Sequence, residues 1–126
     1  MLRACKDLLR PGGRMAFYTI FAPSGLRSEA YDAGRSIAPW GSVYPRDYRE
    51  MLRAAAFVDI EEVDSTAEYL HTLRAWIAAR KRRARALRRA IGEAEFTRII
   101  TENEQAVAAV QAGVRRRSLF VGRIGP

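Results

Sequence analysis

An open α/β sheet is the fold that this 126-residue sequence predicts, and three observations predict it. Residues 14–21 (RMAFYTIF) are almost continuously apolar, as a strand must be when both of its faces are covered, and such strands are usually parallel members of an α/β sheet. Stretches with helical apolar spacing alternate with short strand-like runs along the whole chain. Pro and Gly fall where one kind of stretch gives way to the next, which marks turns between elements rather than breaks within them.

Taken in order, Leu2, Cys5, Leu8 and Leu9 recur at helical spacing, and Pro11-Gly12-Gly13 stops that helix. The apolar strand 14–21 follows. Residues 22–44 carry Pro23, Gly25, Gly34, Pro39 and Gly41 around Tyr31 and Trp40, the composition of a long functional loop with at most one short helix. Pro45 stands near the start of a second helix with Tyr48, Met51, Leu52 and Ala55 on one face. Residues 57–64 (FVDIEEVD) read as a strand with Val58, Ile60 and Val63 inward, and Glu61-Glu62 breaks the period of two as a bulge or edge does. Ser65-Thr66 with Glu68 supplies N-cap chemistry for a long helix over 67–91, whose stripe is Leu70, Leu73, Trp76, Ile77, Leu87 and Ile91. Gly92 allows a break before another helix over 93–112, and Gly113 suits the left-handed position past its end. Residues 116–124 (RRSLFVGRI) form the last strand. Three strands are few for a sheet in which residues 14–21 are covered on both sides, and the first helix has no strand before it.

The length suits one unit with a modest core. The 22 Lys and Arg against 14 Asp and Glu give a net charge of +8, which makes anionic partners worth testing and says nothing about fold. One cysteine, Cys5, excludes an internal disulfide framework; with no neighbouring histidine to activate it, it reads as a small buried hydrophobe. No apolar run approaches the roughly 20 residues that span a bilayer, so a membrane partner is not expected and a cytoplasmic location is the default. No metal-ligand cluster is visible.

The stretch LLRPGGR leading into a hydrophobic strand resembles the segment before the fifth strand of class I S-adenosylmethionine-dependent methyltransferases, where a Leu-Arg/Lys-Pro-Gly-Gly turn recurs. YPRDYREMLRAAAFVDIEEVDST is similar to that family's next helix and sixth strand, with Ala56 in place of the usual Gly, and RRRSLFVGRI resembles its seventh strand. The resemblance implies the C-terminal part of a Rossmann-like methyltransferase sheet: three strands with long helices, the C-terminal strand antiparallel and in the middle. It implies one partial domain over 1–126 with a helical insert over 67–112, as in small-molecule members. It also implies S-adenosylmethionine as cofactor and a small-molecule acceptor. The family's glycine-rich turn after its first strand is absent, and Gly12-Gly13 lie between a helix and a strand, the reverse of the order needed. The expectation is therefore a C-terminal half that is inactive alone and completed by a missing N-terminal half or partner subunit, with a bare edge on its fifth strand.

By the same resemblance the loop after the fifth strand helps form the acceptor pocket, which makes Tyr18, Thr19, Phe21, Trp40 and Tyr44 candidates to line it. Ordinary core or loop-anchoring roles stand beside that reading. His71, the only histidine, is the weak candidate for a general base, against a surface or hydrogen-bonded structural role. Asp64 and Glu68 read as capping groups. The block RKRRARALRR, Arg80 to Arg89, would give a standalone basic adaptor several phosphate contacts, but no aromatic interleaves it, and a solvated helical face is the better reading.

Overall fold

The computed structural model describes residues 1–26, 29 and 45–126. Among these, helix α1 (Leu2–Asp7) leads through the Pro-Gly-Gly turn into β1 (Arg14–Pro23). Then come β2 (Pro45–Arg46), α2 (Tyr48–Ala54), β3 (Phe57–Asp64), the helices α3 (Thr66–Arg82), α4 (Ala84–Ile91) and α5 (Glu93–Gln111), and β4 (Arg116–Ile124). The sheet order is β2-β1-β4-β3. The last strand lies between β1 and β3 and is antiparallel to both, with Met15 opposite Gly122, Phe17 opposite Phe120 and Val63 opposite Leu119. The expected arrangement of three strands with the C-terminal one in the middle is present. A fourth, two-residue strand pairs parallel with Ala22 and Pro23. Pro45 therefore begins that strand rather than a helix, a position where proline's missing N–H does no harm. Asp47 caps α2 instead, its carboxylate accepting from the Glu50 N–H at 2.9 Å.

One face of the sheet carries the core. Phe17, Phe21, Tyr48 and Phe120 form an aromatic cluster with ring centroids 5.3–5.9 Å apart. Leu2, Leu52, Ala55, Phe57 and Ile124 close around Phe21 and Phe120. The opposite face is not covered as the continuous apolar run of β1 predicts. Tyr18 is 63% exposed, Ile20 42% and Val63 54%, so β1 and β3 expose apolar side chains on the side away from the aromatic cluster. Val58 and Val63 are accordingly outward rather than inward, because the bulge between Val58 and Glu61, with Asp59 at φ 49°, shifts the alternation and leaves Phe57 and Glu62 facing the core side.

The helical stretch expected as an insert over 67–112 is three helices rather than two. The chain bends at Arg83, whose N–H is shared between the Ala79 and Arg80 carbonyls at 3.2 and 3.1 Å, as at a helix end. The bend lets α4 fold back on α5, where the Arg88 guanidinium lies 4.6 Å from the Phe96 ring. α3 and α5 pack through Tyr69, Leu73, Ala106 and Val110. Gly113, at φ 75°, ends α5 with the paired bonds from its own N–H to Val110 and from Val114 to Ala109, and so turns the chain into β4. Cys5 is half-buried rather than buried.

Leu52 is completely buried in the aromatic core. Leu52→Ala is expected to lower the unfolding free energy by about 2–5 kcal/mol, read as a shift of the urea midpoint at unchanged slope.

Candidate functional site

β1 and β3 run parallel to each other, and β4 begins where both of them end. In open α/β sheets this carboxyl edge is where ligands bind. Among the described residues, two clefts open there, one on each face.

The larger, of about 450 Å³, lies between the sheet and the helical insert. Ile20, Arg115 and Arg117 line it from the strand side, and Tyr69, Leu73, Trp76, Gln105 and Ala106 from α3 and α5. Arg117 is held from several directions. Its Nε donates to Ser65 Oγ at 3.1 Å, and its guanidinium lies 5.3 Å from the Tyr18 ring centroid and 5.4 Å from that of Tyr69. Ser65 Oγ in turn donates to the Arg117 carbonyl at 3.2 Å, and Thr66 Oγ1 accepts from the Arg117 N–H at 3.2 Å. The Ser65 hydroxyl is therefore spent on β4 and does not cap α3 as the sequence pattern predicts. Asp64 does so instead, accepting from the Thr66 N–H at 2.9 Å. The Thr66 hydroxyl foremost, with the Thr66 backbone N–H and Arg116 at 2.9 Å from Asp64 Oδ2, holds that carboxyl below the usual range against the opposing effect of desolvation. Glu68 contributes no cap; its backbone carbonyl accepts from Thr72 Oγ1 at 2.9 Å.

Other polar side chains around this cleft have partners. Arg80 donates to Asn103 at 2.6 Å and lies over Trp76, and Glu102 pairs with Arg98 at 2.6 Å. Among the described residues, neither Arg115 nor the terminal nitrogens of Arg117 have a carboxylate partner. Gln105 Oε1 is buried with no hydrogen-bond partner.

The smaller cleft, about 190 Å³, is on the aromatic side and is lined by Phe21, Arg46, Tyr48, Glu62, Arg116 and Phe120 among others. Glu62 organises it, accepting from Arg49 at 3.1 Å and from the fully buried Ser118 hydroxyl at 2.9 Å.

The sequence candidates divide between these faces. Tyr18 lies on the larger cleft's side under Arg117, whereas Thr19, whose hydroxyl donates to Tyr48 at 3.1 Å, and Phe21, in the core, point the opposite way. Alternation along a strand prevents the three from lining one pocket. His71 is exposed on α3 and is not among the residues lining either cleft. Trp40 and Tyr44 lie outside the described residues. Sequence reading missed Tyr69, Gln105, Arg115 and Arg117 as cleft residues. Only Tyr69 had a signal, since it precedes by four and seven residues the apolar positions Leu73 and Trp76 of the α3 stripe. Among the described residues no group of three His, Cys, Asp or Glu is placed to hold a metal ion. No helix among them is long and apolar enough to cross a membrane.

No protein-family model and no curated protein sequence matches the chain. Solved structures do. Phosphoethanolamine N-methyltransferase 2 of Haemonchus contortus, in complex with phosphomonomethylethanolamine and S-adenosylhomocysteine, superposes at a TM-score of 0.84 with 13% identity, covering 99% of this chain and 29% of that one. A candidate sarcosine dimethylglycine methyltransferase from Galdieria sulphuraria gives 0.83 at 14% identity, covering 98% of this chain and 46% of that one. The mycolic acid cyclopropane synthase CmaA1 gives 0.81 at 18%, covering 97% and 50%. The fold is the C-terminal part of a Rossmann-like methyltransferase. The chain spans between about a third and a half of the length of these methyltransferases.

Because the folded-state pKa of Asp64 is depressed, its contribution to stability is present above the ordinary carboxylate range and is lost as pH falls below about 4 through the folded value. Asp64→Asn is expected to flatten this acid limb of a stability-against-pH curve measured by urea denaturation, with the smaller difference from the parent chain at the lowest pH.

Proposed function

We propose that this chain supplies the closing strands and the acceptor wall of an S-adenosylmethionine-dependent methyltransferase that acts on a small molecule. The observation that carries this reading is the strand order, with an antiparallel β4 between parallel β1 and β3 and a cleft of about 450 Å³ at their carboxyl edge. A cleft of that size suits a small acceptor. Its chemistry is that of positioning, which is most of what methyl transfer asks of a protein: aromatic and apolar walls fix the acceptor's body, and α3 and α5 wall one side of it.

The described residues do not fit the cofactor. The glycines of the Pro-Gly-Gly turn are used for turn closure at the opposite edge of the sheet, with the Gly13 N–H donating to the Arg10 carbonyl at 2.7 Å and the Gly12 N–H to that of Gly125 at 3.0 Å. In this reading, side chains or backbone that grip S-adenosylmethionine come from outside the described residues, chiefly from an N-terminal half or a partner subunit. The surface left for such a unit is apolar. Among the described residues, β1 pairs on its outer edge only at Ala22 and Pro23, and Tyr18 and Ile20 beside that edge are exposed. A catalytic role for His71 is not part of this reading. Titration calorimetry of the chain alone with S-adenosylmethionine is expected to show no binding; tight binding would overturn the division of labour proposed here.

A second reading rests on the corner between α3 and α4. Arg82, Arg83, Arg85 and Arg89 surround an open cleft of about 480 Å³ and, among the described residues, none has a carboxylate partner, whereas Lys81 and Arg88 are paired with Glu104 and Glu93. Fluorescence anisotropy with duplex DNA or RNA near physiological salt is expected to give only non-specific affinity, roughly micromolar or weaker. Much tighter binding with a steep salt slope, lost on changing Arg82, Arg83 and Arg85 to Gln, would instead make the chain a nucleic-acid adaptor.

A further inference from the structure

We infer that the molecule held in the larger cleft is a small acid, with its carboxylate or phosphate on Arg117 and its apolar body along Trp76 and Ile20; this rests on reading that cleft as the acceptor side. Three independent features lead there. The first is the state of Arg117. Two aromatic rings and the Ser65 hydroxyl fix the base of its guanidinium, and its terminal nitrogens are left without a carboxylate among the described residues, whereas its strand neighbour Arg116, on the opposite face, is paired with Asp64. A planar, immobilised guanidinium with free terminal donors is suited to a two-oxygen anion. The second is Arg115, also unmatched and on the same wall, which raises the positive potential at that end of the cleft.

The third feature is Gln105. Its buried Oε1 lacks a donor, and Gln105 lines the cleft from the helix opposite the arginines. Leaving a buried acceptor unmatched is costly, so a ligand that turns the Gln105 amide toward the cleft and brings an N–H or O–H to it relieves that cost. The walls between are Ile20, Leu73 and the half-exposed Trp76, which favours an apolar body over a bare ion. The inferred ligand is thus an amphipathic acid with one hydrogen-bond donor away from its acidic group.

The test uses the 126-residue chain itself, without cofactor. Four probes of one shape are titrated by NMR: phenylacetate, mandelate, phenyl phosphate and neutral phenylacetamide. The anions are expected to move the Arg117 Nε–H, the Gln105 side-chain amide and the Trp76 indole signals, with phenylacetamide binding about tenfold more weakly or not at all. The order of phenylacetate and phenyl phosphate then decides between a carboxylic and a phosphoric acid. Arg117→Met should weaken anion binding about tenfold or more, and Arg82→Gln should leave it unchanged. Mandelate, which carries a hydroxyl, should bind more tightly than phenylacetate, and Gln105→Leu should erase that difference; this variant carries the test if Arg117→Met does not fold. No response to any anion, an equal response to phenylacetamide, a response confined to Arg82, Arg83, Arg85 and Arg89, or a mandelate preference that survives Gln105→Leu would each overturn the inference. Loss of anion binding leaves the methyltransferase reading standing with a neutral acceptor. Absence of methyl transfer in any assembled enzyme leaves these titrations unmoved.

Discussion

Everything in this structure hangs on the insertion of the last strand between two others. β1 and β3 do not touch as neighbours in the sheet; each is hydrogen-bonded to β4, and β4 reaches its place only after the chain has passed through three helices. The residues of β4 that face the core, Ser118, Phe120 and Ile124, are among the most buried in the protein. Phe120 stacks on Phe17 across the ladder and contacts Phe21 and Tyr48, so the packing of α2 and the alignment of β1 with β4 are decided by one side chain. The closing contacts are non-local, which makes them slow to form and dependent on the insert folding back correctly.

The same strand couples the fold to the cleft. The Arg117 carbonyl accepts from the Ser65 N–H at 2.9 Å and from the Ser65 hydroxyl, so the start of α3 is tied to the backbone of β4 at the carboxyl edge. The side chain of the same residue, Arg117, faces the cleft between Tyr18 and Tyr69. Backbone bonding to one face of the residue and ring contacts on its side chain give a single position two jobs: anchoring a helix and presenting a cation. Polar groups on the two sides of the sheet are handled differently. Glu62 is paired with Arg49 and hydrogen-bonded to Ser118, which satisfies a half-buried carboxylate within the core, whereas the cleft side keeps arginines and a glutamine unmatched.

The charge of the insert is equally uneven. Lys81 and Arg88 pair with Glu104 and Glu93 of α5, and Arg98 pairs within α5 with Glu95 and Glu102, while Arg82, Arg83, Arg85 and Arg89 around the α3–α4 bend have, among the described residues, no carboxylate partner. Exposed pairs of this kind contribute little to stability. Their effect is to leave the unpaired charge of the helices on one corner, on residues other than the cleft's own cations.

The amino-acid sequence by itself determined the elements that local chemistry specifies. The Pro-Gly-Gly stop after α1, the apolar run of β1, the bulge signalled by Glu61-Glu62, the glycine breaks at Gly92 and Gly113, and the order of the three long strands were legible, because each depends on backbone permissiveness or on a repeating apolar pattern; the short strand at Pro45 and the bend at Arg83 were not. So was the strand arrangement, through the likeness of LLRPGGR and RRRSLFVGRI to a known sheet. What only the tertiary structure decided is which side chains share a space. Tyr18 and Phe21 are three residues apart and fall on opposite faces, Ser65 has a capping pattern but bonds to β4, and Arg117 meets Gln105 and Tyr69 only because the insert brings α3 and α5 over the end of the sheet. Periodicity assigns a residue to a face of its own element. It carries no information about what another element, fifty residues away, will set against that face.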